Sequence, residues 1–278
     1  MIARLRNIDM HYHSVGEGHP ILMLHGGYLD HRHMMAEMEP VFERNPGWRR
    51  IYVDLPGHGE TLAPDQIKTM DDVLGALLDF VDQLLPGQRY AVAGMSAGGH
   101  LARGLVHHRA AHLTGVMFNA PATVTAMADR TLPAPTTIRE DAGFADLVGD
   151  RLDQIRRLQP VRDARFAQWH ERCFIPAWEQ RQRPFSDDLW TQENYPFSFD
   201  LHPLAQPFGA PSLILCGRQD TVVGYRDAWP LIEDYPRATF AVLDWGGHII
   251  EPARPDLFRA LAVDWLERVE DMRRLTND

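Results

Sequence analysis

Short, almost uninterrupted apolar runs recur along the chain and alternate with stretches of helical periodicity. The runs fall at 20–25 (PILMLH), 49–54 (RRIYVD), 89–94 (RYAVAG), 113–119 (LTGVMFN), 211–216 (PSLILC) and 239–244 (TFAVLD). Continuous hydrophobicity of this kind marks strands buried on both faces, because neither side meets water. Their alternation with helical patterns predicts an α/β fold built on a mostly parallel sheet covered by helices. Residues 2–15 alternate more loosely and predict an antiparallel pair at one edge.

The clearest helix is the last. Leu257, Phe258, Leu261, Ala262, Trp265, Leu266, Val269 and Met272 recur at helical spacing, with acidic and basic residues opposite. Such a stripe packs on a sheet face. Between 122 and 205 the rhythm changes. Strand-like runs vanish, and helical stripes replace them: Phe144, Leu147, Val148, Leu152, Ile155 and Leu158, then Phe166, Trp169, His170, Cys173 and Phe174. Pro- and aromatic-rich stretches follow. This pattern predicts a helical insertion at 122–205 between two parts of one core, 1–121 and 206–278.

Composition narrows the class. A chain of 278 residues with 45% hydrophobic and 24% charged positions buries a large core. The net charge of −10 argues against a nucleic-acid surface, which needs a basic face. Cys173 and Cys216 stand far apart and form neither a disulfide framework nor a zinc pattern, so both read as packing thiols. The first residues lack the apolar core of a signal peptide, and no run reaches membrane-spanning length. The expected location is the cytoplasm. His11/His13 and His31/His33 are i, i+2 pairs with no Cys or carboxylate set to complete a metal site, so no metal is expected.

The chemistry concentrates at Gly94-Met95-Ser96-Ala97-Gly98, a G-x-S-x-G pentapeptide between a predicted strand and a predicted helix at 97–109. A nucleophile on so tight a turn needs neighbours without bulk two residues before and after it. The following helix aims its first N–H groups at the reaction centre. A serine also needs a base, and the base an orienting carboxylate. Asp220 ends LILCGRQD beyond a buried strand, and His248 ends LDWGGH in the loop after the final strand. The order Ser96, Asp220, His248 is the one that belongs with a hydrolase sheet. Asp54, in DLPGHG, reads as a loop brace.

Together, HGG at 25–27, DLPGHG at 54–59, GMSAGG at 94–99, GRQD at 217–220 and GGH at 246–248 resemble the α/β-hydrolase superfamily, in family order and over essentially the whole chain. The resemblance implies an eight-stranded, mostly parallel sheet with 122–205 as a helical cap. It also implies an oxyanion hole from the backbone N–H groups of Gly27 and Ala97. The expected activity is cofactor-free hydrolysis of a small ester, thioester or lactone through an acyl-serine. Carbon–carbon bond hydrolysis and perhydrolase or haloperoxidase-like chemistry stand as alternatives on the same triad. A non-catalytic ligand-binding protein is the alternative of another class. Candidate contacts to the small carbonyl substrate are Tyr28, Met95, Trp169, Trp178 and Ile249, with Trp190, Tyr195, Phe197 and Phe199 as further candidates for an apolar pocket wall. The arginines from Arg151 to Arg183 are interleaved with acids and read as a solvated, salt-bridged face.

Overall fold

A computed structural model describes residues 1–276. In chain order the first part runs β1 (Ile2–Arg4), β2 (Asp9–Val15), β3 (His19–Leu24), α1 (His31–Phe42), β4 (Trp48–Val53), α2 (Met70–Leu84), β5 (Tyr90–Met95), α3 (Ala97–Arg109) and β6 (Leu113–Asn119). The middle holds β7 (Arg139–Glu140), α4 (Phe144–Val148), α5 (Leu152–Leu158), β8 (Val161–Arg162), α6 (Ala164–Trp169), α7 (Ile175–Gln180) and α8 (Arg183–Leu189). Then come β9 (Ser212–Gly217), α9 (Leu231–Asp234), β10 (Ala238–Leu243) and α10 (Pro255–Thr276).

Eight strands form one sheet in the order β1-β2-β4-β3-β5-β6-β9-β10. Pairing is parallel from β4 through β10 and antiparallel only at the β1–β2–β4 edge. All six apolar runs are strands, each within one residue of its expected bounds, and α3 spans 97–109 as expected. β3, β5, β6 and β9 are buried at every position, which accounts for their unbroken hydrophobicity.

The topology itself locates a crevice. From β3 the chain crosses to β4 on one side, then returns past β3 to β5 and on to β6. Right-handed crossovers therefore send α1 to one face and α2 and α3 to the other. In keeping with this, α1 packs beside α10 and α2 beside α3. Where neighbouring strands send their connections to opposite faces, a crevice opens beyond their carboxyl ends. Here those strands are β3 and β5, so the loops starting at His25 and Ser96 border it.

Three expectations need correction. Leu257 is 38% exposed, so the stripe of α10 that reaches the core is Phe258, Ala262, Trp265, Leu266 and Val269. Leu147 likewise points to water, at 63% exposure. Strands do not vanish from 122–205, because β7 and β8 pair in parallel through Arg139 and Glu140 against Val161 and Arg162. Both cysteines are free and buried. No helix among the described residues is long and apolar enough to cross a membrane.

Candidate active site

Ser96 sits between β5 and α3 at φ 53°, ψ −114°, a region that L-residues rarely occupy. The surrounding chain over-determines that conformation. Ser96 N–H donates to Asn119 O, and Ser96 O accepts from the N–H groups of His100 and Ala122. Gly94 and Gly98 make the turn possible by their lack of side chains. A Cβ on Gly94 would lie 2.3 Å from Gly98 O, and one on Gly98 would lie 2.2 Å from Leu24 O.

Asp220 and His248 reach Ser96 because β9 and β10 are parallel neighbours, so the loops leaving them run side by side. Gln219 N–H donates to Gly246 O and ties the two loops together. A Cβ on Gly217 would lie 2.1 Å from Gly247 O, so this approach needs glycine. The Asp220 carboxylate is fully buried. Its Oδ1 accepts from the N–H groups of Val222 (2.8 Å) and Val223 (3.1 Å), leaving Oδ2 2.9 Å from His248 Nδ1. With its proton on Nδ1, His248 turns the Nε2 lone pair to Ser96 Oγ, 3.0 Å away. The structure thus aligns carboxylate, imidazole and hydroxyl in one hydrogen-bonded series.

Gly27 and Ala97 both border the cavity beside Ser96, and neither N–H has a hydrogen-bond partner among the described residues. Ala97 opens α3, where the first N–H groups lack intrahelical acceptors. His25 sets the Gly26–Gly27 peptide. Its Nε2 accepts from Leu55 N–H at 3.0 Å, so Nδ1 carries the proton and donates to Gly26 O at 2.8 Å. Complete burial lowers the His25 pKa and keeps the ring in that neutral form. A trans peptide points its N–H opposite to its carbonyl, so holding Gly26 O aims Gly27 N–H away from His25.

Ser96 and His248 open into a cavity of about 420 Å³. Tyr28, Met95, Trp169, Trp178 and Ile249 all line it, as do Trp190 and Tyr195. Phe197 and Phe199 do not. They stack on each other, and Phe197 stacks on His100 (4.2 Å between centroids) while Phe199 packs against His107 (4.6 Å), both histidines of α3. Tyr28 adopts φ 61°, and its ring meets Trp178 and Trp190 at 5.2 and 5.8 Å.

The arginine face is only partly solvated. Arg162 is 1% exposed, bound to Glu140 at 2.7 Å and to Gln159 O, and Arg181 is buried with its guanidinium stacked on Trp178 at 3.4 Å. Sequence charge balance does not reveal which cation finds a buried partner. Asp54 does brace its loop, accepting from the N–H groups of His31 and Glu60 and from the His31 ring. Burial pushes its carboxyl up, but the His31 hydrogen bonds outweigh that and hold it at about 2. Asp30 and Asp54 do gather beside His31, yet Asp30 is engaged by the Arg32 guanidinium and Asp54 by those donors.

Four further polar residues line the cavity that the sequence did not single out as site residues: Arg130, Gln154, Gln159 and His170. Gln159 Nε2–H donates to Ile249 O at 3.0 Å and steadies the chain beside His248. His170 stands on a π-helical turn, His170–Phe174, a form that recurs at functional sites. Burial, with help from Arg151, lowers its pKa to about 4, so it is neutral at pH 7. A π-turn has no sequence signature, and Arg130 and Gln159 stand in polar stretches like any other.

The sheet order, the strained serine turn and the loops beyond β3, β5, β9 and β10 define a class, and the sequence model of the α/β-hydrolase fold matches residues 19–251. The chain belongs to that family; it is an α/β hydrolase. Its structure is similar to that of an alpha/beta superfamily hydrolase from Oenococcus oeni PSU-1, with TM-score 0.87 and 26% identity over 97% of this chain and 99% of that one. Monoacylglycerol lipase ABHD6 of Bos taurus is 23% identical over 90% of this chain and 75% of its own length. The 2-hydroxy-6-oxo-6-(2'-aminophenyl)hexa-2,4-dienoic acid hydrolase of Metapseudomonas resinovorans is 22% identical over 96% of this chain and 90% of its own.

Proposed function

We propose that this hydrolase cleaves small ester, thioester or lactone substrates through an acyl-serine intermediate. The observation that carries the reading is the series Asp220–His248–Ser96, with contacts of 2.9 and 3.0 Å, opening into the 420 Å³ cavity. Ser96 Oγ attacks the substrate carbonyl carbon while His248 Nε2 takes its proton. Asp220 holds the imidazole tautomer and stabilises the cation that forms. The N–H groups of Gly27 and Ala97 receive the oxygen as it becomes negative, each lowering the barrier by about 2.7–4 kcal/mol. His248 then protonates the leaving alcohol, thiol or hydroxyl, and the acyl group stays on Ser96. Water, deprotonated by His248, attacks the acyl carbon, and His248 returns the proton to Ser96 Oγ as the acid leaves. Residues 122–205 act as a cap whose aromatic residues enclose the acyl group.

The test is intact-mass labelling with a fluorophosphonate, alongside turnover of a short p-nitrophenyl ester. The wild type should gain one adduct and hydrolyse the ester, and Ser96→Ala should do neither. A folded wild type that neither labels nor turns over would leave the ligand-binding alternative in its place.

A further inference from the structure

Arg130 lines the cavity together with Ser96 and His248. Main-chain carbonyls hold its guanidinium in place. Nε–H donates to Val124 O at 2.8 Å, one terminal nitrogen to Val222 O at 2.9 Å, and the other to Thr125 O at 3.3 Å. Val222 is also one of the residues whose N–H binds Asp220. The guanidinium is therefore fixed to the same loop as the carboxylate behind His248.

Carbonyl dipoles orient the cation without cancelling its charge. Among the described residues Arg130 forms no ion pair, and no Asp or Glu lines the cavity. The carboxylates bound to the adjoining Thr131 and Val222 are committed elsewhere. Asp227 accepts from Thr131 N–H at 2.7 Å, and Asp220 is saturated by Val222, Val223 and His248. Most of the lining is apolar, with Phe166, Trp169 and Phe174 among its residues. Arg130 is half-buried, so its cation is held at the cavity edge with part of its hydration replaced by fixed carbonyls, ready to pair with an incoming anion. Three of the five guanidinium N–H groups are used by the carbonyls, which leaves donors for a ligand. Arg is also the residue whose fork matches a carboxylate.

We infer that Arg130 receives a carboxylate carried by the substrate, so that the preferred substrates are anionic acyl compounds with an apolar body between the carboxylate and the scissile bond. The inference rests on the serine-hydrolase reading for the reaction, and on Arg130 alone for the anion. It differs from the expectation of a solvated arginine face, because Arg130 lies outside that run and inside the cavity.

Two ester pairs test it on the wild-type protein. One places the charge in the acyl part: p-nitrophenyl hydrogen glutarate against its methyl ester. The other places it in the leaving group: 4-carboxyphenyl butyrate against 4-carbamoylphenyl butyrate. In at least one pair kcat/KM should favour the anion by about 10-fold or more, the scale of a charge-assisted hydrogen bond. Arg130→Gln should bring that ratio close to one, and Arg130→Lys should restore part of it. The ratio is independent of how much of a variant folds. Equal kcat/KM within both wild-type pairs, or a preference that survives Arg130→Gln, overturns the proposal. Fluorophosphonate labelling of the same preparation separates this from failure of the hydrolase reading. If Ser96 does not label, calorimetry with 4-phenylbutyrate and 4-phenylbutyramide decides the anion site directly. Tighter binding of the carboxylate that is lost in Arg130→Gln supports it, and equal binding overturns it.

Discussion

At Gly98 the limit on substitution comes from backbone. A Cβ there meets Leu24 O at 2.2 Å and His25 O at 2.6 Å, the end of the strand that leads to Gly27. Neither carbonyl can move without moving β3, so Gly98→Ala must push the start of α3 away from it. Ala97 N–H and Gly27 N–H then separate, and Ser96 shifts with them. Displacements of about 1 Å at a reacting centre cost on the order of 100-fold, and kcat for the p-nitrophenyl ester should fall by about that factor. Gly99→Ala is the comparison: its Cβ meets nothing closer than 3.0 Å, with Pro121 Cβ at 3.0, Pro121 Cα at 3.1 and Gly94 O at 3.2 Å, contacts that a shift of a few tenths of an ångström relieves. Similar kcat in the two variants would refute this account. The residues around Ser96 were legible from sequence because the turn forbids bulk at fixed spacing. Arg130 and His170 were not, since each acquires its meaning only from what the fold sets opposite it.

Strands and long helices were legible for a related reason. A strand buried on both faces must be apolar throughout, so β3, β5, β6 and β9 announce themselves within a residue. A helix declares only a stripe, and its edges depend on what it packs against. α10 shows both. Trp265 is fully buried and donates to Pro211 O at 3.1 Å, whereas Leu257, on the same sequence stripe, lies 38% exposed at the helix start. Trp265→Ala should lower unfolding free energy by about 3–5 kcal/mol, and Leu257→Ala by less than about 0.5 kcal/mol. Urea unfolding measures both, and similar losses in the two would mean that the helix is seated differently. The short elements between β6 and β9 were the least legible. Stripes mark helices there, but the two-residue strands β7 and β8 and the π-turn that interrupts the helical run Ala164–Gln180 leave no periodic signal, and buried Arg162 is neutralised by Glu140 from a different element.

Across the whole molecule, the buried histidines set the response to acid. Burial lowers the pKa of His19, His33, His58 and His100 to about 3 and that of His170 to about 4. Each is neutral when folded but titrates near 6.5 when unfolded. As pH falls below 6.5 the unfolded chain takes up protons that the folded one refuses, so their contribution, complete above 6.5, is lost toward pH 3–4. Two glutamates act in the opposite sense. Burial raises Glu251 to about 7 and Glu37 well above its ordinary value, and their contribution, complete below 4.5, is lost as pH rises. His13, His25 and His108 are lowered as well, so between pH 7.5 and 5.5 eight histidines work against the fold and two glutamates for it, and the histidines prevail. Tm should fall by about 5 °C or more over that interval. His100, stacked on Phe197 and away from the cavity, offers the cleanest check. His100→Gln removes one titrating group, and the dependence of unfolding free energy on pH should flatten by up to about 1.4 kcal/mol per pH unit. A Tm that is level or rises on acidification would mean that these rings take up protons within the fold, with water reaching them.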